Sequence, residues 1–383
     1  MKHSTKIVLG VGAMAAASAL VLSGCSSSDT TTPGASSSSG ALTDVTLQLQ
    51  WVPQAQFAGY YAAVDQGFYK KEGLNVKIVP AGTDTVPIQS VANGEADYAI
   101  SWVPKVLGAI EKGTNVTDVA QIFERGGTEQ ISFTDKNITT PADLKGKNVG
   151  SWGFGNQWSL FAGMQKAGID TTKDVKILQQ AFDMKGFLAG DIDAAQAESY
   201  NEYAQVLETI NPKTGKLYTA DDLNVIDWNT YGTAMLEDAI WADTDKLKDK
   251  TFQSQTVKFI KASIEGWVYA RDNADKAAGI VTAAGSTLGT SHQLWMTNEV
   301  NKLIWPSTEG VGTIIKDKWD QTVKIAESTK DDTGATIITK APPASAYTND
   351  YVAKALTELK ADGVDVMGTG FTPLTVTLKE GGK

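Results

Sequence analysis

The stretch "LQLQWVPQAQFAGYYAAVDQGFYKKEGL" (residues 47–74) decides how the chain is read. Its start belongs to "VTLQLQ" (45–50), where Val45, Leu47 and Leu49 fall on one face at a period of two, the mark of a β-strand. Its second half, "FAGYYAAVDQGFYKKEG" (57–73), has helical spacing and stops near Gly73. A strand that enters a helix through a short turn opens an α/β unit. That turn carries Trp51, a large aromatic where a small turn residue would suffice.

Outward from there the alternation continues. "NVKIVP" (75–80), "DYAIS" (97–101) and "TDVAQIFE" (117–124) read as strands, with helices over 86–94 and 104–113 between them. After "NITTPADLKGK" (137–147) the order repeats. "NVGSW" (148–152), "DVKILQQ" (174–180) and "IDAAQAE" (192–198) read as strands, with helices over 156–168, 182–191 and 201–210. "NVIDW" (224–228) and "YGTAMLEDAIWAD" (231–243) lead out, and amphipathic helices follow near 251–272, 292–304, 312–327 and 349–361. The expected fold class is α/β, with parallel sheets, right-handed crossovers and two lobes joined by a hinge. The chain would cross near 138–143 and return near 229–233, so that 41–138 plus 233–383 form lobe 1 and 139–232 lobe 2. Two independent α/β domains in series would give much the same pattern.

The first forty residues stand apart. Lys2 and Lys6 precede "IVLGVGAMAAASALVL" (7–22), an apolar run of 16 residues that reads as a signal-peptide core and is short for a membrane span. "LSGC" (22–25) resembles the lipobox of bacterial lipoproteins, which implies acylation of Cys25, removal of 1–24 and a lipid anchor outside the cytoplasm. The Ser- and Thr-rich residues 25–40 then form a tether. Loss of Lys2 and Lys6 leaves 32 of 34 basic residues against 44 acidic ones, a net charge of −12. That balance argues against nucleic acid as a partner, which needs a basic face. Cys25 is the only Cys, and of the two His residues only His292 lies beyond the signal. Cys/His metal sites, Cys nucleophiles and Ser-His relays therefore lack parts, and no metal, cofactor or enzymatic activity is expected. His292 is expected near a helix start, facing solvent.

Ligands of open α/β sheets bind beyond the carboxyl ends of strands. Trp51, Trp102 and Trp152 sit at such ends. Lobes facing each other across a cleft would sandwich a flat ligand between these indoles, each stack contributing on the order of 1 kcal/mol beyond burial. A lone Trp at such a position more often packs under a loop. "WGFGNQW" (152–158) aims backbone N–H groups into the same space without a phosphate-binding fingerprint, and Asn156 serves equally well there as a helix cap. Glu202 is placed to accept from an amine or ring N–H, or simply to favour a helix dipole. Glu124 and Arg125 end another strand, where Arg125 clamps an anion or pairs with a carboxylate. Phe57, Tyr60 and Tyr61 read as core.

Five segments carry a resemblance: "LQWVPQAQFAGYYAAVDQGFYKKEGLNV", "GEADYAIS", "TTPADLKGKNVG", "FDMKGFLAGDIDAA" and "YNEY". Over residues 44–330 the chain resembles solute-binding proteins of bacterial ABC importers, in the group related to thiamine-pyrimidine synthesis proteins that also holds nitrate, taurine and sulfonate receptors. It looks closest to receptors for aromatic heterocycles, thiamine pyrimidine precursors or riboflavin. The resemblance implies a type II periplasmic-binding fold and a monomer that closes on a small-molecule ligand and delivers it to a permease. It places Gln50, Trp51 and Trp102 on one side of the cleft and Trp152, Gly153, Phe154 and Asn156 on the other. Glu202 becomes a polar anchor, and Tyr231 lies near the returning hinge. The pyrimidine synthases of the group carry a Cys-rich motif and a reactive His that this sequence lacks. A pyrimidine-modifying enzyme and a ligand-sensing lipoprotein are the rival readings. A small sulfonate or taurine is the least favoured ligand, since Glu202 would repel it unless Arg125 compensates.

Overall fold

The computed structural model describes residues 41–82 and 84–383, so the expected signal peptide, Cys25 and the tether lie outside the described residues. Among the described residues, ten strands form two five-stranded sheets. The first holds β1 (Thr43–Gln48), β2 (Leu74–Val79), β3 (Tyr98–Trp102), β4 (Val116–Gln121) and β10 (Asp238–Asp243), in the order β2-β1-β3-β10-β4. The second holds β5 (Thr128–Phe133), β6 (Asn148–Ser151), β7 (Lys176–Gln179), β8 (Ala194–Glu198) and β9 (Leu223–Asp227), in the order β7-β6-β8-β5-β9.

Each sheet corrects the expectation of purely parallel pairing. β10 runs antiparallel to β3 and β4, and β5 runs antiparallel to β8 and β9. Both strands follow a segment that has just left the other sheet, without the crossover helix that parallel pairing within one sheet requires. The first crossing also lies earlier than expected, within 122–127 rather than near 138–143, because β5 pairs in the second sheet. Its sequence "TEQISF" has polar residues at four of six positions, and Thr128, Gln130 and Ser132 are nonetheless buried. Polar residues on a buried face erase the alternation that reveals a strand. The return runs through 228–237.

The expected helix over 57–73 is two helices, α1 (Ala58–Asp65) and α2 (Phe68–Lys71). Gly67 between them adopts φ 75°, a left-handed turn that ends α1. α3 (Pro87–Ala92) and α4 (Val103–Glu111) begin with Pro in the first turn, where no N–H is missed. The second sheet carries α5 (Trp158–Lys166), α6 (Lys185–Leu188), α7 (Glu202–Leu207) and α8 (Trp228–Tyr231). The late helices are α9 (Lys250–Asp272), α10 (Ala274–Ala283), α11 (Thr290–Ile304), α12 (Lys316–Ser328) and α13 (Asp350–Ala361). They pack on the first sheet: Phe259, Ile264, Val281, Val300 and Leu356 share a core with Val45, Leu47 and Ile100. α9 approaches α1 so closely that a Cβ on Gly266 would overlap the carbonyl oxygen of Gly59.

Candidate functional site

The carboxyl ends of β1, β2 and β3 face those of β6, β7 and β8 across a cavity of about 850 Å³. The first wall presents Gln50, Trp51, Gln54, Gln56, Trp102 and Lys105, and the facing wall Trp152, Phe154, Asn156, Phe182, Glu198, Tyr200, Asn201 and Glu202. Trp51 does not meet Trp152 directly. Phe182, from the turn after β7, stands against both, with ring centroids 4.9 Å from Trp51 and 6.0 Å from Trp152. Two of the three expected indoles, Trp51 and Trp152, thus share a row of three rings drawn from both walls, with Phe182 between them.

Asp238 organises the first wall. It opens β10 and lies in register with Trp102 of β3. Its carboxylate accepts from Gln50 Nε2 (2.5 Å), Trp102 Nε1 (2.9 Å) and Gln56 Nε2, which lies 3.1 Å from both oxygens. Burial pushes Asp238 up to about 8, the Glu237 charge adds to this, and the three donors only partly oppose it. Lys105, from the first turn of α4, points its ammonium over the Trp102 ring at 5.1 Å. Its side chain is open to the cavity, but the walls crowd it, and burial draws its ammonium down to about 8 against the pull of Asp238 and Glu198.

Three more carboxyl groups cluster at the facing wall, Glu198 and Glu202 in the lining and Glu237 behind it. Thr128 Oγ1 lies 2.9 Å from both Glu198 Oε1 and Glu237 Oε1, with one proton to share between them, and the backbone N–H groups of Gly127 and Thr128 donate to Glu237 at 2.9–3.0 Å. Glu202 accepts from Asn201 Nδ2 (2.8 Å) and from the Glu198 N–H (3.0 Å). Burial pushes Glu202 and Glu237 each up to about 7, and raises Glu198 well above the carboxylate range, with Glu237 and Glu202 adding repulsion. Glu198 Oε2 and Trp152 Nε1 are buried without a hydrogen-bond partner among the described residues.

The turn after β6 places Gly153, Phe154 and Gly155 successively at φ 63°, 51° and 87°. Positive φ is unfavourable for Phe154, which stands 82% exposed at the rim. A Cβ on Gly155 would lie 3.3 Å from Lys105 Cγ, so the turn reaches the first wall. Asn156 closes this turn through Nδ2 to the Gly153 carbonyl (2.9 Å) and does not cap α5, whose N-cap is Gln157.

Of the residues singled out from the sequence, Gln50, Trp51, Trp102, Trp152, Phe154, Asn156 and Glu202 line this one cavity. Gly153 shapes the turn without lining it. Glu124 is buried elsewhere, bonded to Ser307, with its carbonyl taking Lys318 Nζ at 2.5 Å. Tyr231 packs on Trp228 (6.5 Å) and accepts Lys166 Nζ at its carbonyl (2.6 Å). Arg125 forms no ion pair with a carboxylate among the described residues. It donates to the carbonyls of Lys302, Leu303 and Pro306 and so braces the end of α11. His292 does not face solvent: it is 1% exposed and bonded to Glu208 and Asn201. Sequence reasoning missed Lys105, Phe182 and Asp238. Phe182 follows β7 much as Trp51 follows β1, so the strand-end rule would have found it; Asp238 gave no such signal.

Two α/β sheets of this order, opposed at their strand ends around a cleft, define the periplasmic-binding-protein fold. The structure is similar to the sulfonate ABC transporter periplasmic sulfonate-binding protein SsuA from Methylobacillus flagellatus, with a TM-score of 0.58 and 17% identity over 88% of this chain and 99% of that one. It is also similar to a Candida albicans protein described as having the generic periplasmic binding protein structural fold, with a TM-score of 0.52 and 15% identity over 87% and 99% of the two chains. The family model "NMT1/THI5 like" matches residues 54–277, more than half of the chain, which therefore belongs to the NMT1/THI5-like family. Curated relatives include the formylaminopyrimidine-binding protein of Halalkalibacterium halodurans, 24% identical over 63% of this chain and 70% of its own length. The riboflavin-binding protein RibY of Chloroflexus aurantiacus is 26% identical over 67% and 73%. A 4-amino-5-hydroxymethyl-2-methylpyrimidine phosphate synthase of Legionella pneumophila is 27% identical over 35% and 43%.

Proposed function

We propose that the protein is the substrate-binding lipoprotein of an ABC importer, held outside the cytoplasmic membrane through Cys25. It captures a small aromatic heterocycle, a thiamine pyrimidine precursor or a riboflavin-like ring, and delivers it to the permease as a monomer. The observation that carries this reading is one cavity that joins the rings of Trp51, Phe182 and Trp152 to the carboxyl groups of Glu198 and Glu202. Flat apolar faces suit a ring, and a carboxyl group suits the amino or ring N–H at its edge. Its volume falls in the range of small-molecule sites, about 300–1,000 Å³. A sulfonate would find Lys105 and Lys112 on one side of the cavity but would also meet Asp84, Glu198 and Glu202, which makes an anion the less favoured ligand. The names of two relatives, binders of formylaminopyrimidine and riboflavin, agree with this choice.

The two sheets with their helices act as lobes that hinge at 122–127 and 228–237. A ligand touching both walls binds the closed form better and shifts the population toward it, the form the permease receives. The synthase reading has support from the Legionella relative. Against it, His292 lies outside the cavity lining, bonded to Glu208 and Asn201.

Native mass spectrometry of residues 41–383 tests the proposal. The expected result is a co-purified heterocycle, or a yellow preparation if the ligand is a flavin, together with saturable binding of 4-amino-2-methylpyrimidine or riboflavin in preference to taurine. Preferential binding of taurine, or turnover of the pyrimidine, would overturn it.

A further inference from the structure

His292 ties the cleft to helices of the other half of the molecule. It sits in the first turn of α11, which packs against α9, α10 and the turn after β1. That turn is itself pinned to α11, since the Ala55 N–H donates to Gln293 Oε1 at 2.7 Å. The imidazole leaves this layer and grips both ends of α7 in the second half. Nε2 lies 3.0 Å from Oδ1 of Asn201, just before α7, and Nδ1 lies 2.9 and 3.0 Å from the carboxylate oxygens of Glu208, just after it. One turn further along α11, Trp295 Nε1 donates to the Ser199 carbonyl at 3.1 Å, and its ring stacks on Tyr203 at 6.1 Å.

The Asn201 amide connects this grip to the cavity. Its Nδ2 donates to Glu202 Oε1 at 2.8 Å, which turns Oδ1 toward His292 and sets that oxygen as the acceptor of Nε2–H. Glu202 in turn holds the Glu198 N–H, at 3.0 Å. A covering segment shields the ring. Over 374–382 the Leu374 N–H donates to Asn298 Oδ1 (2.7 Å), the Lys379 N–H to Ser291 Oγ (3.3 Å) and the Gly381 N–H to the Glu208 carbonyl (3.0 Å). Gly382, at φ 73°, comes so near that a Cβ on it would lie 2.9 Å from His292 Cβ.

We infer that His292 is a positioning residue for the cleft: through Asn201 it sets where the Glu202 carboxyl stands, and the 374–382 segment holds it in that post. The inference rests on the reading of Glu202 as a ligand contact, but the placement of Glu202 can be followed without a ligand. Because Glu202 accepts from the Glu198 N–H, exchange of the Glu198 amide reports whether it is in place.

Two substitutions separate positioning from packing. In His292→Gln the side-chain amide reaches the place of Nε2 and donates to Asn201; in His292→Asn it reaches only the place of Nδ1, at Glu208. The expected result, read by NMR hydrogen exchange, is a Glu198 amide near the wild-type rate in His292→Gln and at least about tenfold faster in His292→Asn. Affinity for 4-amino-2-methylpyrimidine should follow the same order. Equal exchange rates in the two folded variants would reduce His292 to packing and overturn the inference. Gly289→Ala supplies a variant with the ring intact, since its Cβ would overlap the Gly382 carbonyl oxygen and push the segment away. It should raise Glu198 exchange severalfold, and no rise would remove the segment from the inference. A wild-type protein that binds neither 4-amino-2-methylpyrimidine nor riboflavin, yet shows the exchange pattern, would sink the ligand reading and leave the positioning role standing.

Discussion

The two walls of the cleft are made from equivalent strand ends, yet they use their carboxyl groups in opposite ways. On the first wall Asp238 gathers Gln50, Gln56 and Trp102, so these four polar groups are paired with one another. On the second, Glu198 keeps an oxygen and Trp152 an N–H without a partner among the described residues. The contrast separates a wall whose buried carboxyl group is fully engaged from one that holds unpaired buried polar atoms.

Breaking the Asp238 cluster should have the largest effect. Asp238→Ala strands two buried donors, on Gln56 and Trp102, each worth about 1–3 kcal/mol, and the half-buried Gln50, so urea unfolding should show a loss of about 2 kcal/mol or more, with a smaller loss for Asp238→Asn. An Asp238→Ala protein as stable as wild type would erase the contrast. The same group sets a pH dependence. Asp238 is raised to about 8 and Glu202 and Glu237 to about 7, so the folded state binds their protons more tightly than the unfolded chain does. Their contribution is complete below the ordinary carboxylate range and is lost as pH rises through about 7–8, at no more than about 1.4 kcal/mol per pH unit for each group. The melting temperature should therefore fall from pH 5 to pH 8.5, and Asp238→Asn should flatten the upper part of that fall. A melting temperature that rises across this interval would contradict the assignment.

Next come the rings. Trp51→Ala and Trp152→Ala should each weaken riboflavin or aminopyrimidine binding at least about tenfold by calorimetry, a 1.4 kcal/mol step. Trp152→Ala should also lower stability by about 3–5 kcal/mol, because Trp152 is buried and Trp51 is not fully so. Unchanged affinity in both would return the indoles to a packing role. Phe182→Ala is milder: it removes a contact between the walls worth about 1 kcal/mol, which shifts the ratio of open to closed forms about fivefold. Small-angle scattering of the unliganded variant should show a larger radius, and an identical profile would mean that Phe182 does not hold the walls together. Tyr231→Phe and Glu124→Gln lie away from the cavity and should change affinity less than twofold.

The elements most legible in the sequence were those set by neighbouring residues. Leu47, Leu49 and the run from Phe57 to Gly73 announce strand, turn and helix because side-chain period depends on local backbone geometry. Trp51, Trp102 and Trp152 followed from the same source, since chain direction alone says which end of a strand opens toward a ligand. β5 escaped notice because its buried face is polar: Gln130 donates to the carbonyls of Gly150 and Ala194, partners that come later in the chain.

By itself the sequence determined the alternating α/β order, the family likeness and the aromatic residues at the strand ends, all matters of local spacing. Only the tertiary structure decided that Asp238 meets Trp102 across 136 residues, that Phe182 joins the two indoles, and that His292 turns inward to Asn201 across 91. Such contacts depend on strand register and on how helices dock, which arise when distant segments bury their surfaces together and leave no periodic trace in any one of them.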